Sequence, residues 1–351
     1  MRILLLMDPL IAVPPREYGG IERVVADLAN ELHRRGHGVT VWAAPGSHVM
    51  CELETFGCEG EWTRRSNIRN SALVTARFWS SPKRFDIVHN FGRLAYLLPI
   101  LRWDVPKIQT YMRWVENRNI RYVNKLGARR ITYTAVSNAI RNTGSPGGGD
   151  WRVIYNCAPK DQFAFREDID PNTAPLVFLG RLERCKGAHS AIAVARRLNR
   201  RLIIAGNISN LPEEKLYFQQ EIKPNIDGEL ISYIGPVNNE QKNRLLGEAA
   251  AMLLPIEWEE PFPIVLPESM LCGTPVIAFR RGGVPEGIDH GRTGFVCDNQ
   301  VEMAELVLRL NEIDRRACRQ EAEARYSAEA ITDCYENLYR EVSIGRRSAK
   351  S

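Results

Sequence analysis

The chain opens on Arg2–Met7, apolar at every position after the arginine, a strand-length run of the kind buried on both faces of a sheet. A turn-rich stretch, Asp8–Gly20 with Pro9, Pro14 and Pro15, separates it from Ile21, Val24, Val25, Leu28, Ala29 and Leu32. Those six positions fall on one face of a helix, and Arg34-Arg35-Gly36 gives it a basic last turn and a glycine stop. Gly38–Ala43 reads as the next strand, which completes a β–α–β unit of a parallel sheet. Further strands are predicted at Asp86–His89, Lys107–Thr110, Ile131–Val136 and Trp151–Tyr155, and helices at Asn67–Ser80 and Asn117–Leu126; Gly147-Gly148-Gly149 is a loop. Asn156–Ala174 carries no period and reads as a crossing between domains.

The alternation then restarts. Strands are predicted at Leu176–Leu179, Arg201–Ala205, Leu230–Ile234, Met252–Ile256 and Pro275–Phe279, with a short extended piece at Phe295–Cys297. Helices are predicted at Lys186–Leu198, Pro212–Lys223, Asn238–Ala250 and Val265–Leu271, and everything beyond Val301 is read as helical. The expected class is α/β, two doubly wound Rossmann-like domains over residues 1–157 and 158–326, with residues 327–351 as a terminal helix and tail.

Composition narrows the chemistry. At 351 residues, 44% hydrophobic and 25% charged, the chain is an ordinary globular protein of two domains. Its longest apolar runs, Ile3–Met7 and Leu97–Leu101, fall far short of the ~20 residues that span a bilayer, and the first run meets Asp8-Pro9 too soon for a secretory leader. The eight cysteines form no C-x-x-C pair, so zinc-ribbon and thioredoxin readings fall away, and buried thiols in a reducing cytosol are expected. Net charge is +5, but residues 1–155 hold 22 basic and 13 acidic side chains, or +9, against −4 for the rest. The first half is therefore suited to an anionic partner or to a plain solvated basic face.

No G-x-G-x-x-G opens a helix and no G-x-x-x-x-G-K-[ST] occurs, which argues against a dinucleotide oxidoreductase and a P-loop phosphotransferase. Gly19-Gly20, after the first strand and before the first helix, suits either an anion against exposed backbone N–H groups or a simple turn. Gly180-Arg181 and Lys186-Gly187 place two cations at the end of a strand, a fit for a diphosphate or for two surface ion pairs. Glu260 and Glu268 cannot both hold phosphate; the pair suits the hydroxyls of a sugar and a ribose, or one capping acid and one solvated acid. Asp168-Ile169-Asp170 has the spelling of a metal-binding D-x-D but falls in the interdomain stretch, and no metal is expected there. Arg113, Arg118, Arg121, Lys125, Arg129 and Arg130 cluster with Trp114 and Tyr122. No nucleic-acid fold accompanies them, so a charged acceptor or an anionic membrane is the better match, with a plain solvated helix face as the alternative.

Together these motifs carry a resemblance. The run EPFPIVLPESMLCGTPVIAFRRGGVPEGI from Glu260 to Ile288 closely resembles the donor-binding signature of glycosyltransferase family 4. So do YGGIERVVADLANELHRRGHGVTV near the start, VIYNCAP at 153–159 and FLGRLERCKG at 178–187, in matching order over nearly the whole chain. The resemblance implies the GT-B architecture, two Rossmann-like domains facing across a cleft, the first taking the acceptor and the second the donor, with the last helix crossing back to the first domain. It implies a retaining, metal-independent transfer of a sugar from a nucleotide-diphosphate sugar to an acceptor hydroxyl, without a cofactor. The acceptor would be a glycan, a lipid-linked sugar or a small molecule of bacterial surface-glycan, glycolipid or natural-product biosynthesis, and the enzyme cytoplasmic or peripheral at the inner membrane face.

Carried over by residue, Gly19 and Gly20 would approach the diphosphate, and Arg181 and Lys186 would neutralise it. Glu260 would contact the transferred sugar and Glu268 the ribose. Backbone at Asn207 and at Ile234–Val237, Gly235 and Val237 included, would cradle the base, and Phe262, Ile264 and Val265 would bring the start of the short helix toward the phosphates. The chain departs from the pattern where Pro263 replaces a common glycine and Cys157 another. The first-domain T-x-H also reads Thr110-Tyr111-Met112, so the family's imidazole is missing at Met112. His89, Met112 and Arg113 are the acceptor-side candidates; His89 would line the cleft or serve as a structural histidine. Two other readings of the same donor site are a nucleotide-sugar epimerase and a non-catalytic nucleotide-sugar-binding subunit.

Overall fold

In a computed structural model, residues 1–16, 19–58, 60, 63–81 and 84–344 are described; the tail at 345–351 lies outside them. The chain forms two compact units, Met1–Cys157 with Ala328–Ser351, and Ala158–Ser327.

The first unit is built on strands β1 (Arg2–Leu6), β2 (Gly38–Ala43), β3 (Glu52–Thr55), β4 (Ile87–Asn90), β5 (Lys107–Tyr111), β6 (Ile131–Ala135) and β7 (Asp150–Val153). All pair in parallel, in the order β3-β2-β1-β4-β5-β6-β7. Helix α1 (Gly20–Arg34) buries Val24, Val25, Leu28, Ala29 and Leu32, the stripe that its spacing predicts. Helices α2 (Arg64–Ser80), α3 (Asn117–Lys125) and α4 (Asn138–Gly144) connect later strands. Three pieces were not foreseen: β3, a half-exposed edge strand; α4, seven residues capped by the Ser137 hydroxyl; and a 3₁₀ turn at Leu94–Ile100.

The second unit holds β8 (Leu176–Leu179), β9 (Leu202–Ala205), β10 (Ile231–Tyr233), β11 (Ala251–Leu254), β12 (Val276–Phe279) and β13 (Gly294–Cys297), parallel in the order β10-β9-β8-β11-β12-β13. Its helices are α5 (Ala188–Leu198), α6 (Pro212–Tyr217), α7 (Asn239–Gly247), α8 (Val265–Leu271), α9 (Gln300–Val307) and α10 (Arg315–Tyr326). The expected helix over 212–223 is α only to Tyr217 and tightens to other turns by Asn225. The region after Val301 is broken by a 3₁₀ turn at Leu310–Glu312.

Helix α11 (Ala328–Ile344) belongs to the first unit. Arg35 at the end of α1 bonds Glu31, and across to Asp333, Glu336 and the Glu329 carbonyl of α11. His37 adds a 2.7 Å contact to Glu336. On the buried side Tyr335 and Tyr339 pack against His89 with ring centroids 4.9 and 5.7 Å away. Among the described residues no helix is long and apolar enough to cross a membrane. Of the expected buried thiols, Cys157, Cys272, Cys297 and Cys318 are buried; Cys51 and Cys185 are half-buried, and Cys58 and Cys334 are exposed.

Candidate functional site

Strand order reverses between β8 and β11 in the second unit, and in open parallel sheets ligands bind beyond the strand carboxyl ends at such a point. The loops leaving those two strands carry the charged residues. After β8 the chain runs Gly180-Arg181, then a 3₁₀ turn at Arg184–Lys186, then α5. Lys186 therefore precedes the helix and does not begin it, because Gly187 sits at φ +80°. A Cβ there would stand 1.9 Å from the Pro255 carbonyl oxygen, so only glycine lets this turn close on the end of β11. The loop after β11 is tied to the same turn by the Glu257 N–H donating to the Cys185 carbonyl at 2.8 Å. Its far end is held by Gly282, at φ +55°, whose N–H donates to Glu259 Oε2 at 2.7 Å.

The two loops bring Lys186 Nζ to 2.5 Å from Glu260 Oε2, with both side chains 12% exposed. The Trp258 indole N–H donates to the same oxygen at 2.6 Å, and the ammonium lies 5.1 Å from the Trp258 ring centroid. Arg181 pairs with Glu183 at 2.6 Å. Glu268 is buried in α8 and accepts from Lys242 of α7. The base-cradle candidates lie beside them along the same sheet edge. The Asn207 carbonyl accepts from Leu182 N–H at 2.9 Å, and the Gly235 carbonyl from Gly206 N–H at 2.9 Å. Val237 is half-buried, as are Ile264 and Val265. Phe262 is sealed against Tyr326, ring centroids 5.5 Å apart, which leaves only its backbone for a ligand.

The first unit has its own reversal, between β1 and β4. Asp8 follows β1 and accepts from Tyr96 hydroxyl at 2.9 Å and from Arg93 Nε at 3.2 Å. Gly19 precedes α1 at its N-terminus, where Gly20 is the first residue, and a Cβ on Gly19 would stand 2.7 Å from Glu22 Oε2. Burial raises the carboxyls of Asp8 and Glu22 above their usual range, and the Arg113 guanidinium opposes that rise in both. Arg113 is exposed and Met112 half-buried beyond the end of β5.

His89 is a correction. It is fully buried, its Nδ1 2.6 Å from Tyr339 hydroxyl and its Nε2 2.6 Å from Thr110 Oγ1. Burial holds its pKa well below the ordinary value. It is a neutral structural histidine that seats α11, and it does not line a binding surface. Arg130 likewise leaves the basic cluster, because it donates to the Val342 carbonyl of α11. Asp170 accepts from Asn172 N–H at 2.9 Å and Thr173 hydroxyl at 2.7 Å in an exposed turn. Its neighbours Ile169 and Pro171 share a pocket with Ala250 and Pro275, which precede β11 and β12, at the sheet edge opposite Lys186 and Glu260. Among the described residues no group of three or more His, Cys, Asp or Glu could hold a metal ion.

Five residues escaped the sequence reading: Asp8, Glu22, Arg93, Trp258 and Lys242. Glu22 and Trp258 lie inside or beside quoted motifs and were within reach. Lys242 had no local signal.

Residues 159–330 match the family model described as glycosyl transferases group 1, and residues 18–162 the one described as glycosyltransferase family 4. The human alpha-1,3/1,6-mannosyltransferase ALG2 is 30% identical, with 94% of each chain covered. Among solved structures, sucrose-phosphate synthase from Thermosynechococcus elongatus is similar at TM-score 0.79 and 19% identity, covering 98% of this chain and all of that one. HepE of Anabaena, solved in complex with UDP and glucose, gives TM-score 0.72 at 19% identity, covering 96% and 99%.

Proposed function

The chain belongs to glycosyltransferase family 4, and from that premise we propose that it moves a sugar from a nucleotide-diphosphate sugar to an acceptor hydroxyl, with retention and without a metal. The observation that carries the reading is the meeting of Lys186 and Glu260 beyond β8 and β11. One loop supplies a fixed cation for a leaving diphosphate, the other a carboxylate for sugar hydroxyls. The UDP and glucose bound by the Anabaena neighbour are in keeping with such a donor.

In this mechanism Lys186 and Arg181 stabilise the charge that develops on the diphosphate as the bond from the sugar's anomeric carbon to the phosphate oxygen breaks. Glu260 orients the sugar through its hydroxyls, and Glu268 holds the ribose. The acceptor oxygen bonds to the anomeric carbon on the face the phosphate leaves, and its proton passes to the departing phosphate oxygen. Gly19 and Gly20, at the start of α1, offer backbone N–H groups suited to an anion. Asn207, Gly235 and Val237 cradle the base through backbone. Met112, Arg113 and the carboxylates of Asp8 and Glu22 serve the acceptor.

The acceptor is a glycan, a lipid-linked sugar or a small molecule of surface-glycan, glycolipid or natural-product assembly, and the site of action the cytoplasm or the inner face of a membrane. Contact with an anionic membrane is supported by the first unit's surface. The connections β3 to β4 and β5 to β6 step the same way along the sheet, so right-handed crossovers put α2 and α3 on one side of it. That layer exposes Ile68, Trp79, Trp114 and Tyr122 at 60–68%, among exposed Arg64, Arg65, Arg69, Arg118, Arg121 and Lys125.

The test is turnover of UDP-, GDP- and ADP-sugars with and without acceptor extracts. Acceptor-dependent release of nucleoside diphosphate supports transfer; turnover without acceptor points to an epimerase; binding without turnover points to a non-catalytic subunit. A companion experiment is Arg181→Ala, expected to slow turnover at least tenfold in a folded protein.

A further inference from the structure

Glu268 is only 3% exposed, and its carboxylate meets Lys242 of α7 through Oε1. Lys242 is sequestered too, its side chain 12% exposed and its ammonium 5.2 Å from the Phe163 ring centroid. A carboxyl group this far out of water needs a polar partner, and among the described residues Lys242 is the cation paired with it. The pairing uses one oxygen. Glu268 Oε2 makes no hydrogen bond to any described residue.

Helix α7 does not depend on Lys242 for its place. Asn238 and Gln241 close a capping box at its start. Asn243 accepts the Ala164 N–H at 2.9 Å and the Cys272 thiol at 3.5 Å. The ammonium is thus presented from a helix anchored by other residues, to a carboxylate on the neighbouring helix.

We propose that Lys242 is a positioning residue: it holds the Glu268 side chain in place through Oε1, so that Oε2 is offered to the vicinal hydroxyls of the donor's ribose. This rests on reading Glu268 as the ribose-holding group. Hydrogen bonds to a charged acceptor contribute ~1.5–3 kcal/mol each, so one well-placed carboxylate gives about tenfold or more preference for a ribose over a sugar without the diol. With Lys242 lost, the Glu268 side chain loses the partner that fixes it and turns away, and the preference goes with it.

The experiment is calorimetric titration of the full-length chain with UDP, GDP and ADP, each against its 2′,3′-dideoxy counterpart. The wild type should prefer the ribose form of the nucleotide it binds by about tenfold or more. Glu268→Gln should lose that preference. Lys242→Met should lose most of it while its affinity for the dideoxy form stays within about twofold, and Lys242→Arg should restore part. Lys242→Gln, checked for cooperative thermal unfolding, replaces the methionine variant if that one does not fold. A lysine variant with undiminished ribose preference overturns the proposal and leaves the ribose reading of Glu268 standing. A variant that weakens ribose and dideoxy forms equally also overturns it, since that is how a merely structural lysine behaves. A wild type that binds none of the three nucleotides, or binds ribose and dideoxy forms alike, overturns the ribose reading and the proposal together.

Discussion

Lys186→Met separates two consequences of one ion pair. In the folded protein the ammonium stands 2.5 Å from Glu260 Oε2, with each side chain 12% exposed. Removing it leaves a half-sealed carboxylate, although the Trp258 indole still donates to that oxygen at 2.6 Å. A fully buried orphaned charge costs ~3–5 kcal/mol; with residual solvent access and the indole bond, a loss of about 1–3 kcal/mol is expected here. Adding Glu260→Gln removes the orphan, so the double variant should be more stable than the sum of the single losses predicts, by about 1–2 kcal/mol. Catalysis should show no such rescue. The missing cation deprives the leaving diphosphate of ~2–4 kcal/mol of transition-state stabilisation, which slows turnover about 30- to 1000-fold. The double variant should be at least as slow as either single one. Urea unfolding followed by circular dichroism reads the first effect, and release of nucleoside diphosphate the second. Turnover within about threefold of wild type in a folded Lys186→Met, or strictly additive stabilities, would refute the reasoning.

Excess chelator should leave turnover within about twofold, because fixed cations meet the leaving group; loss of activity restored by manganese or magnesium would contradict this. The full-length chain should co-sediment with anionic vesicles at low salt and release at high salt, at ~1 kcal/mol per basic residue near the surface; equal, negligible binding to anionic and neutral vesicles would remove the membrane reading. Stability should also depend on Lys107, fully buried at the start of β5, whose ammonium donates to the Trp103 and Val105 carbonyls at 2.8 Å. Burial, with the Arg130 charge, lowers its pKa to about 7 from the ordinary 10.5. Between those values the folded chain binds fewer protons than the unfolded one, so stability gains as pH rises from about 7 toward 10. Urea midpoints at neutral and alkaline pH should climb less in Lys107→Met than in wild type; identical slopes would show that the lysine stays charged.

Local pattern was enough for the elements that bury one regular face. The spacing of Val24 to Leu32 placed α1, and the apolar runs placed β2, β8 and α8 at the residues where they occur. Burial writes a period into the sequence, and that period can be read without knowing the partner. Where stability comes from elsewhere the pattern was silent. Strand β3, Glu-Leu-Glu-Thr, has half its side chains in solvent and is held by its ladder with β2. Helix α4 is too short to show a face and relies on its Ser137 cap.

The site divides the same way. The motif runs named Lys186, Glu260 and Glu268, because chemistry of that kind needs charged side chains at strand ends. Only the folded chain joined Lys186 to Glu260 across 74 residues, tied Lys242 to Glu268 across 26, and withdrew His89 into the core through Tyr339, 250 residues away. Such partners are set by which loops and helices meet in space. Glycines and strand order decide that through contacts no local window contains.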